Sequence, residues 1–274
     1  MWDDLERPPL RVESLRRGLV VPNGPLARLD VVSETGSTNE DLGAAAAEGA
    51  PDRSVLVAEY QSAGRGRVGR RWTVPARSAL LFSVLLRPDG VPGQHRCWLS
   101  LITGVALASA VSEVAGVGAR LKWPNDLLLG AGQRKAAGIL AEVVGGSVVV
   151  GVGLNVTLRE AELPVPQATS LAIEGASTTD RDTLLRAILR GLVAVDRDWR
   201  AAGGDAEACG LREQYLRLCA TIGQSVRVEL PGGAALLGTA VDVDRDGRLV
   251  VRDGGGAEHA VSAGDVVHVR PAPR

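Results

Sequence analysis

Two stretches of the chain gather groups that could do chemistry on anions. The first is Gly64-Arg-Gly-Arg-Val-Gly69, with Gln61 before it and Arg70, Arg71 and Trp72 after it: four arginines within seven residues on a glycine-rich backbone. Guanidinium groups pair with carboxylates and phosphates, and glycine lets such a loop fold closely over a ligand. The second comprises Lys122-Trp-Pro-Asn-Asp126 and Arg134-Lys-Ala-Ala-Gly-Ile-Leu-Ala-Glu142. It contains both lysines of a chain whose other 29 basic residues are arginine. Arginine used wherever a surface charge suffices marks Lys122 and Lys135 as positions that call for a compact ammonium, and Lys135 as a candidate for catalysis or ligand binding. A further motif, Gly151-Val-Gly-Leu-Asn155, has small residues that let the backbone approach a ligand or a neighbouring element.

Other patterns carry less. Gly64 to Gly69 fits the G-x-G-x-x-G dinucleotide fingerprint literally, but that fingerprint runs straight into an apolar helix, and here Arg70-Arg-Trp-Thr-Val-Pro75 intervenes. A nicotinamide-dependent dehydrogenase is therefore disfavoured. Asp242-Val-Asp-Arg-Asp-Gly247 with Asp253 imitates a calcium loop, yet its flanks are β-like and Arg245-Asp-Gly247 reads as a hairpin turn. Cys97, Cys209 and Cys219 form no Cys-x-x-Cys pair, and His95, His259 and His268 are scattered, which is poor material for a zinc site or a thiol–imidazole pair.

The elements that must position these groups follow from periodicity. Helices are expected at Val12 to Leu19, Ser37 to Ala50 (with Ser37, Thr38 or Asn39 as cap), Trp98 to Val114, Arg181 to Arg200 and Ala206 to Cys219. Strands are expected at Ser54 to Tyr60, Ala79 to Leu86, around Leu121, and at Leu127 to Leu129, Gly138 to Val144 and Ser147 to Asn155. Short β segments at Val226 to Leu230, Leu237 to Val243, Arg248 to Val251 and Val266 to Val269, split by Pro-Gly-Gly, Asp-Gly and Gly-Gly-Gly turns, form a small terminal barrel-like module. Residues 1–30 read as an extension, 31–220 as a main domain and 222–274 as the module. An apolar content of 45% against 23% charge supports a packed core, and a net charge of −1 with no basic tail argues against a broad nucleic-acid or membrane footprint. The charged N-terminus lacks a signal-peptide core and no run approaches membrane-spanning length, so a cytoplasmic location is expected.

Gly36-Ser-Thr-Asn39, Glu59-Tyr-Gln-Ser-Ala-Gly-Arg-Gly-Arg67 with Trp72, Lys122 to Asp126, Arg134-Lys-Ala-Ala-Gly-Ile139 and Gly151 to Asn155 together resemble, in order, the biotin–protein ligase family. The resemblance spans residues 33–157, and the terminal module is similar to that family's SH3-like domain. It implies an α+β fold, a mixed β-sheet flanked by helices of the class II aminoacyl-tRNA synthetase type, with a small C-terminal SH3-like β-barrel. It implies that biotin and ATP give biotinyl-5′-AMP, from which biotin passes to a lysine of a biotin carboxyl carrier protein domain of a carboxylase. The implied catalytic residues are Lys135, Arg67 and Asp126. The implied biotin contacts are Ser37, Thr38, Asn39, Gln61, Arg65, Gly66, Arg67 and Lys135. The implied ATP contacts are Arg65, Arg67, Arg70, Trp72, Lys122, Asn125, Asp126 and Asn155, with Mg²⁺ arriving on ATP and Asp126 as a candidate protein ligand. Lipoate ligation is the nearest enzymatic alternative. A biotin-responsive repressor is disfavoured, because the 35 residues before Gly36 are short for a winged helix-turn-helix. A monomer or weak dimer without nucleic-acid or membrane partners is expected.

Overall fold

Ala79–Leu86 (β3) is apolar at almost every position, the pattern of a strand covered on both faces, and all eight of its residues are buried. It lies inside a seven-stranded sheet together with Arg28–Val32 (β1), Ser54–Ala58 (β2), Ala119–Lys122 (β4), Asp126–Leu129 (β5), Arg134–Val144 (β6) and Ser147–Asn155 (β7), in the order β1-β2-β3-β7-β6-β5-β4. Only β1 and β2 pair in parallel; every other neighbouring pair is antiparallel. The computed structural model describes residues 7–229, 235–262 and 265–268.

Strand alternation divides the sheet into two chemically different faces. Leu80, Phe82, Val84 and Leu86 of β3, with Val148, Val150, Val152 and Leu154 of β7, join the main core. That face is covered by the helices Trp98–Ala115 (α3) and Arg181–Ala201 (α4), which also pack on each other. On the opposite face Thr38–Ala47 (α2) covers only part of the sheet, seating Leu42 and Ala46 on Leu85 and Val149. The uncovered remainder of that face holds the site.

Three expectations need correction here. The segment Gly93–Ala115 is 23 residues long and apolar enough to span a membrane, contrary to the reading that no run reaches that length. Its hydrophobicity comes from burial instead: α3 lies between the sheet and α4, so its whole circumference is apolar rather than one stripe. Residues 7–30, read as an extension of little periodicity, supply Leu10, Leu15, Leu19, Leu26 and Leu29 to the main core through Val12–Leu19 (α1) and β1. This segment is pinned by a buried pair, Arg181 and Glu59 at 2.5 Å; Arg181 also donates to the Pro8 carbonyl at 2.7 Å, and Glu59 accepts the Leu10 N–H at 2.7 Å. The expected helix over Ala206 to Cys219 is shorter, Leu211–Leu218 (α5), because Gly210 takes a left-handed conformation at its N-cap.

The terminal module is a five-stranded antiparallel sheet of Ser225–Glu229 (β8), Ala235–Val243 (β9), Leu249–Arg252 (β10), Glu258–Val261 (β11) and Asp265–His268 (β12), ordered β11-β10-β9-β8-β12. Strand β11 was not expected; it alternates weakly and only Val261 is buried. Leu230, the Pro231-Gly-Gly turn and Val269 lie outside the described residues. The Arg245-Asp-Gly247 stretch is the β9–β10 turn, whose amides at Asp246 and Arg248 donate to the Asp244 carboxylate.

Candidate active site

A single row of cross-strand partners builds the floor: Lys122 opposes Asp126, Asp126 opposes Gly138, Gly138 opposes Gly153, and Gly153 opposes Leu81. The two glycines remove side chains from the middle of the row, and the Trp72 indole settles into the gap. A Cβ built on Gly153 would lie 2.5 Å from the indole, and one on Gly138 would lie 3.1 Å from it. Gly151, one step along β7, makes the same allowance for Asn39, whose Oδ1 would be 2.1 Å from an added Cβ. The small residues of the Gly151-Val-Gly motif thus admit neighbouring side chains.

Lys135 reaches this face through a β-bulge. Leu127 opposes Ala137, but Leu128 opposes Lys135, so Ala136 is the extra residue. Ala136 and Ala137 both enter the main core, while Lys135 and Gly138 both line the cavity. Without the bulge, Lys135 would alternate onto the helix-covered face. Its main chain is fixed on the other side by segment 164–169: the Lys135 N–H donates to Gln167 O and its carbonyl accepts the Thr169 N–H, each at 2.8 Å. Its Nζ stands 2.6 Å from Asp126 Oδ1 and 5.7 Å from the centre of the Trp72 ring.

The cavity above this row has a volume of about 650 Å³. Asp126 is the only carboxylate among the described residues lining it, against Arg65, Arg67, Arg70, Arg71 and Lys135. Two cations in or beside the row, Arg67 and Lys122, have pKa values lowered chiefly by burial and further by neighbouring cations. Burial lowers the Arg67 pKa, Asp126 counteracts this, and Arg70 lowers it further. Burial likewise lowers Lys122, which Asp126 raises and Lys135 and Arg70 depress. A bound anion would relieve both groups.

The Gly64 to Trp72 loop is a short hairpin. Gly66 N–H donates to Arg70 O at 2.7 Å, Trp72 N–H donates to Gly64 O at 2.9 Å, and Arg67–Gly69 forms a 3₁₀ turn at the tip. At the far end of the cavity, Gln61 Oε1 accepts from Thr38 N at 2.7 Å and from Thr38 Oγ1 at 2.9 Å, so Gln61 offers its Nε2 to the cavity as a donor. Ser37 occupies the N-cap of α2 but its hydroxyl makes no capping bond.

Residues 32–158 match the Biotin/lipoate A/B protein ligase family and residues 221–269 match the Biotin protein ligase C terminal domain. The chain is 47% identical over 271 residues to the biotin–[acetyl-CoA-carboxylase] ligase of Mycobacterium tuberculosis, covering 97% of this chain and 98% of that protein. It belongs to the biotin protein ligase family. It is also 32% identical to the bifunctional ligase/repressor BirA of Bacillus subtilis, over 85% of this chain and 71% of that relative. Among solved structures it is similar to the biotin protein ligase from Aquifex aeolicus in complex with biotin and ATP, with a TM-score of 0.73, 26% identity, and coverage of 90% of this chain and 100% of that one. It is similar as well to the Leishmania major biotin protein ligase in complex with biotinyl-5-AMP, with a TM-score of 0.63, 25% identity, and coverage of 87% and 100%.

In this family member, the residues expected to act in catalysis or to contact biotin or ATP all line this cavity, with the exception of Lys122. Lys122 is half-buried beside Asp126 in the row and does not reach the wall. Several of the others are engaged by the protein. Arg65 pairs with Glu40 at 3.2 Å and Glu142 at 3.3 Å, the Gly66 amide is spent inside the loop, and Asn125 Nδ2 donates to Ile139 O at 3.0 Å. Asn39 Nδ2 donates to Glu142 at 2.6 Å and to Leu140 O at 3.1 Å. Asn155 Nδ2 donates to Thr169 O at 2.9 Å, leaving its buried Oδ1 without a partner at the cavity. Ser83 was missed: fully buried, it lies 2.7 Å from the Thr38 hydroxyl and 2.6 Å from Asn39 Oδ1. Its signal was available, because it is the only polar residue in an otherwise apolar strand. The wall at Pro164, Val165, Gln167 and Ala168 had no motif to announce it.

Proposed function

We propose that the protein activates biotin with ATP to biotinyl-5′-AMP and transfers the biotinyl group to a lysine of a biotin carboxyl carrier domain. The observation that carries this reading is the floor row, where one carboxylate is outnumbered by Lys122, Lys135, Arg67 and Arg70 beside a neutral, donor-lined pocket end. Two anions must meet for adenylation, and fixed cations in a sheltered site stabilise the charge that builds up between them. The biotin carboxylate oxygen attacks the α-phosphorus, the bond to the β-phosphate oxygen breaks, and pyrophosphate leaves.

The ureido group of biotin is neutral, and Gln61 Nε2 and the uncapped Ser37 hydroxyl suit its carbonyl. Thr38 and Asn39 act here as scaffold, fixing Gln61 through bonds to it and to Ser83. Trp72 offers a face for adenine, and the unpartnered Asn155 Oδ1 suits an amino group on the base. No group of three metal-ligating side chains occurs among the described residues, so Mg²⁺ fits as an ion carried by the triphosphate, with Asp126 as its one protein carboxylate and charge neutralisation as its contribution. In the transfer step the acceptor amine attacks the carbonyl carbon, AMP leaves, and Asp126 can take the proton the nitrogen sheds.

Biotin is favoured over lipoate by the match of residues 221–269 to the biotin ligase C-terminal domain. The test is incubation with biotin, MgATP and a carrier domain, followed by the intact mass of the carrier. Gain of one biotinyl group is expected; an unmodified carrier, or equal use of lipoate, would overturn the reading.

A further inference from the structure

The turn that carries Lys122, Asn125 and Asp126 has two anchors. One lies inside the sheet: Asn125 Nδ2 donates to Ile139 O at 3.0 Å, and Asn125 O accepts the Ile139 N–H at 2.9 Å. The other is Trp123, 2% exposed, whose backbone N–H donates to Thr221 Oγ1 at 3.0 Å and whose indole N–H donates to Gly247 O at 3.1 Å. Both of its partners lie beyond the seven-stranded sheet, and Gly247 belongs to the β9–β10 turn of the terminal module. That turn, which in sequence imitates a calcium loop, is one point at which the module grips the main domain, beside Arg212 of α5, which donates to Val243 O of β9 at 2.7 Å. A second indole, Trp98, donates to Arg245 O in the same turn at 2.8 Å and is equally buried, but it sits at the start of α3, away from the floor row.

We propose that Trp123 is a positioning residue for the ATP-dependent step: through it, the turn at 244–247 of the terminal module holds Lys122 and Asp126 in line with Lys135. The inference rests on the adenylation reading above. Losing the Gly247 anchor frees the β4–β5 turn on one side only. Lys122 and Asp126 then drift relative to Lys135, while Ser37, at the N-cap of α2, and Gln61, held by Thr38, stay in place.

The pair of tryptophans supplies its own control, because Trp123→Phe and Trp98→Phe each remove one indole donor to the same turn from an equally buried position. The assay is biotin-dependent exchange of labelled pyrophosphate into ATP, with biotin affinity by calorimetry and melting temperature for each variant. Trp123→Phe is expected to raise KM for ATP about tenfold, the scale of one buried hydrogen bond, with biotin affinity unchanged. Trp98→Phe is expected to lower the melting temperature comparably and leave KM for ATP at the wild-type value. Equal effects of the two substitutions on KM, or a wild-type KM in Trp123→Phe, would overturn the proposal. If Trp123→Phe does not fold, Thr221→Val removes the other acceptor at similar volume, and an unchanged KM for ATP in that variant would overturn it equally. Absence of exchange in the wild-type protein would instead count against the adenylation reading itself.

Discussion

Gly153→Ala tests whether the glycine floor exists to seat Trp72. The added methyl would lie 2.5 Å from Trp72 Cε2 and 2.6 Å from Nε1, about an ångström inside an ordinary carbon contact. The indole packs against Val74, Ala79, Leu81 and Leu158, which limits how far it can shift to make room. Overpacking of this kind costs about 1–3 kcal/mol, which for a chain of this length lowers the melting temperature by roughly 2–10 °C. Gly138→Ala, with its nearest approach at 3.1 Å, asks the ring to give only a few tenths of an ångström and should cost less than about 1 kcal/mol. Thermal melts and ATP titrations on the two variants, on Trp72→Ala and on the Trp72→Ala/Gly153→Ala double variant would decide the matter. Once the indole is gone the methyl has nothing to strike, so Gly153→Ala should then be close to neutral. An undiminished cost in the Trp72→Ala background, or a Gly138→Ala penalty as large as that of Gly153→Ala, would refute the reasoning.

Lys135→Ala removes the amine 2.6 Å from Asp126 and should cut biotin-dependent pyrophosphate exchange by about 10²-fold or more while the melting temperature holds, since Nζ is partly exposed; a near wild-type exchange rate would remove it from the mechanism. Ser37→Ala should leave stability within about 0.5 kcal/mol, because the hydroxyl caps nothing, and weaken biotin roughly tenfold by calorimetry. Lost stability with unchanged biotin affinity would instead make Ser37 a structural residue. ATP binding should weaken at a lower alkaline pH than an ordinary lysine would give. The folded pKa of Lys122 is lowered chiefly by burial, and phosphate favours its charged form, so affinity is full below that pKa and falls as pH rises through it. Lys122→Arg should abolish this alkaline limb, and a limb that persisted in that variant would belong to another group.

Much of the fold was legible because burial on two faces leaves a plain mark. Ala79 to Leu86 and Ser147 to Asn155 appear with their expected bounds, since apolar runs bounded by turn residues admit few other readings. Strand β1 was not legible. Arg28 is exposed and only Leu29 is fully buried in Arg-Leu-Asp-Val-Val, and its place comes from parallel pairing with β2, a long-range choice that no local pattern encodes. The motifs named residues that the fold gathers around one cavity, but not the bulge at Ala136. Two consecutive alanines are neutral in any pattern, and only the shifted register with β5 shows that Lys135 faces the cavity rather than the core.

The four arginines of the loop show where composition stops and geometry takes over. In sequence they are equivalent cations on a glycine-rich backbone, each suited to an anionic ligand. In the structure Arg65 is already matched by Glu40 and Glu142, and Glu142 also holds Asn39, so this guanidinium ties the loop to α2 and β6 instead of adding charge to the cavity. Arg67 instead sits where burial lowers its pKa, Asp126 counteracts this and Arg70 adds to it. A half-exposed ion pair of the Arg65 type contributes at most about 1 kcal/mol and weakens with salt. Loop attachment through Arg65 should therefore be sensitive to ionic strength, whereas the half-buried charge of Arg67 is screened less. The loop's arginines thus sit in different settings, and the difference is set by carboxylates that lie 25 residues before Arg65 and 77 residues after it.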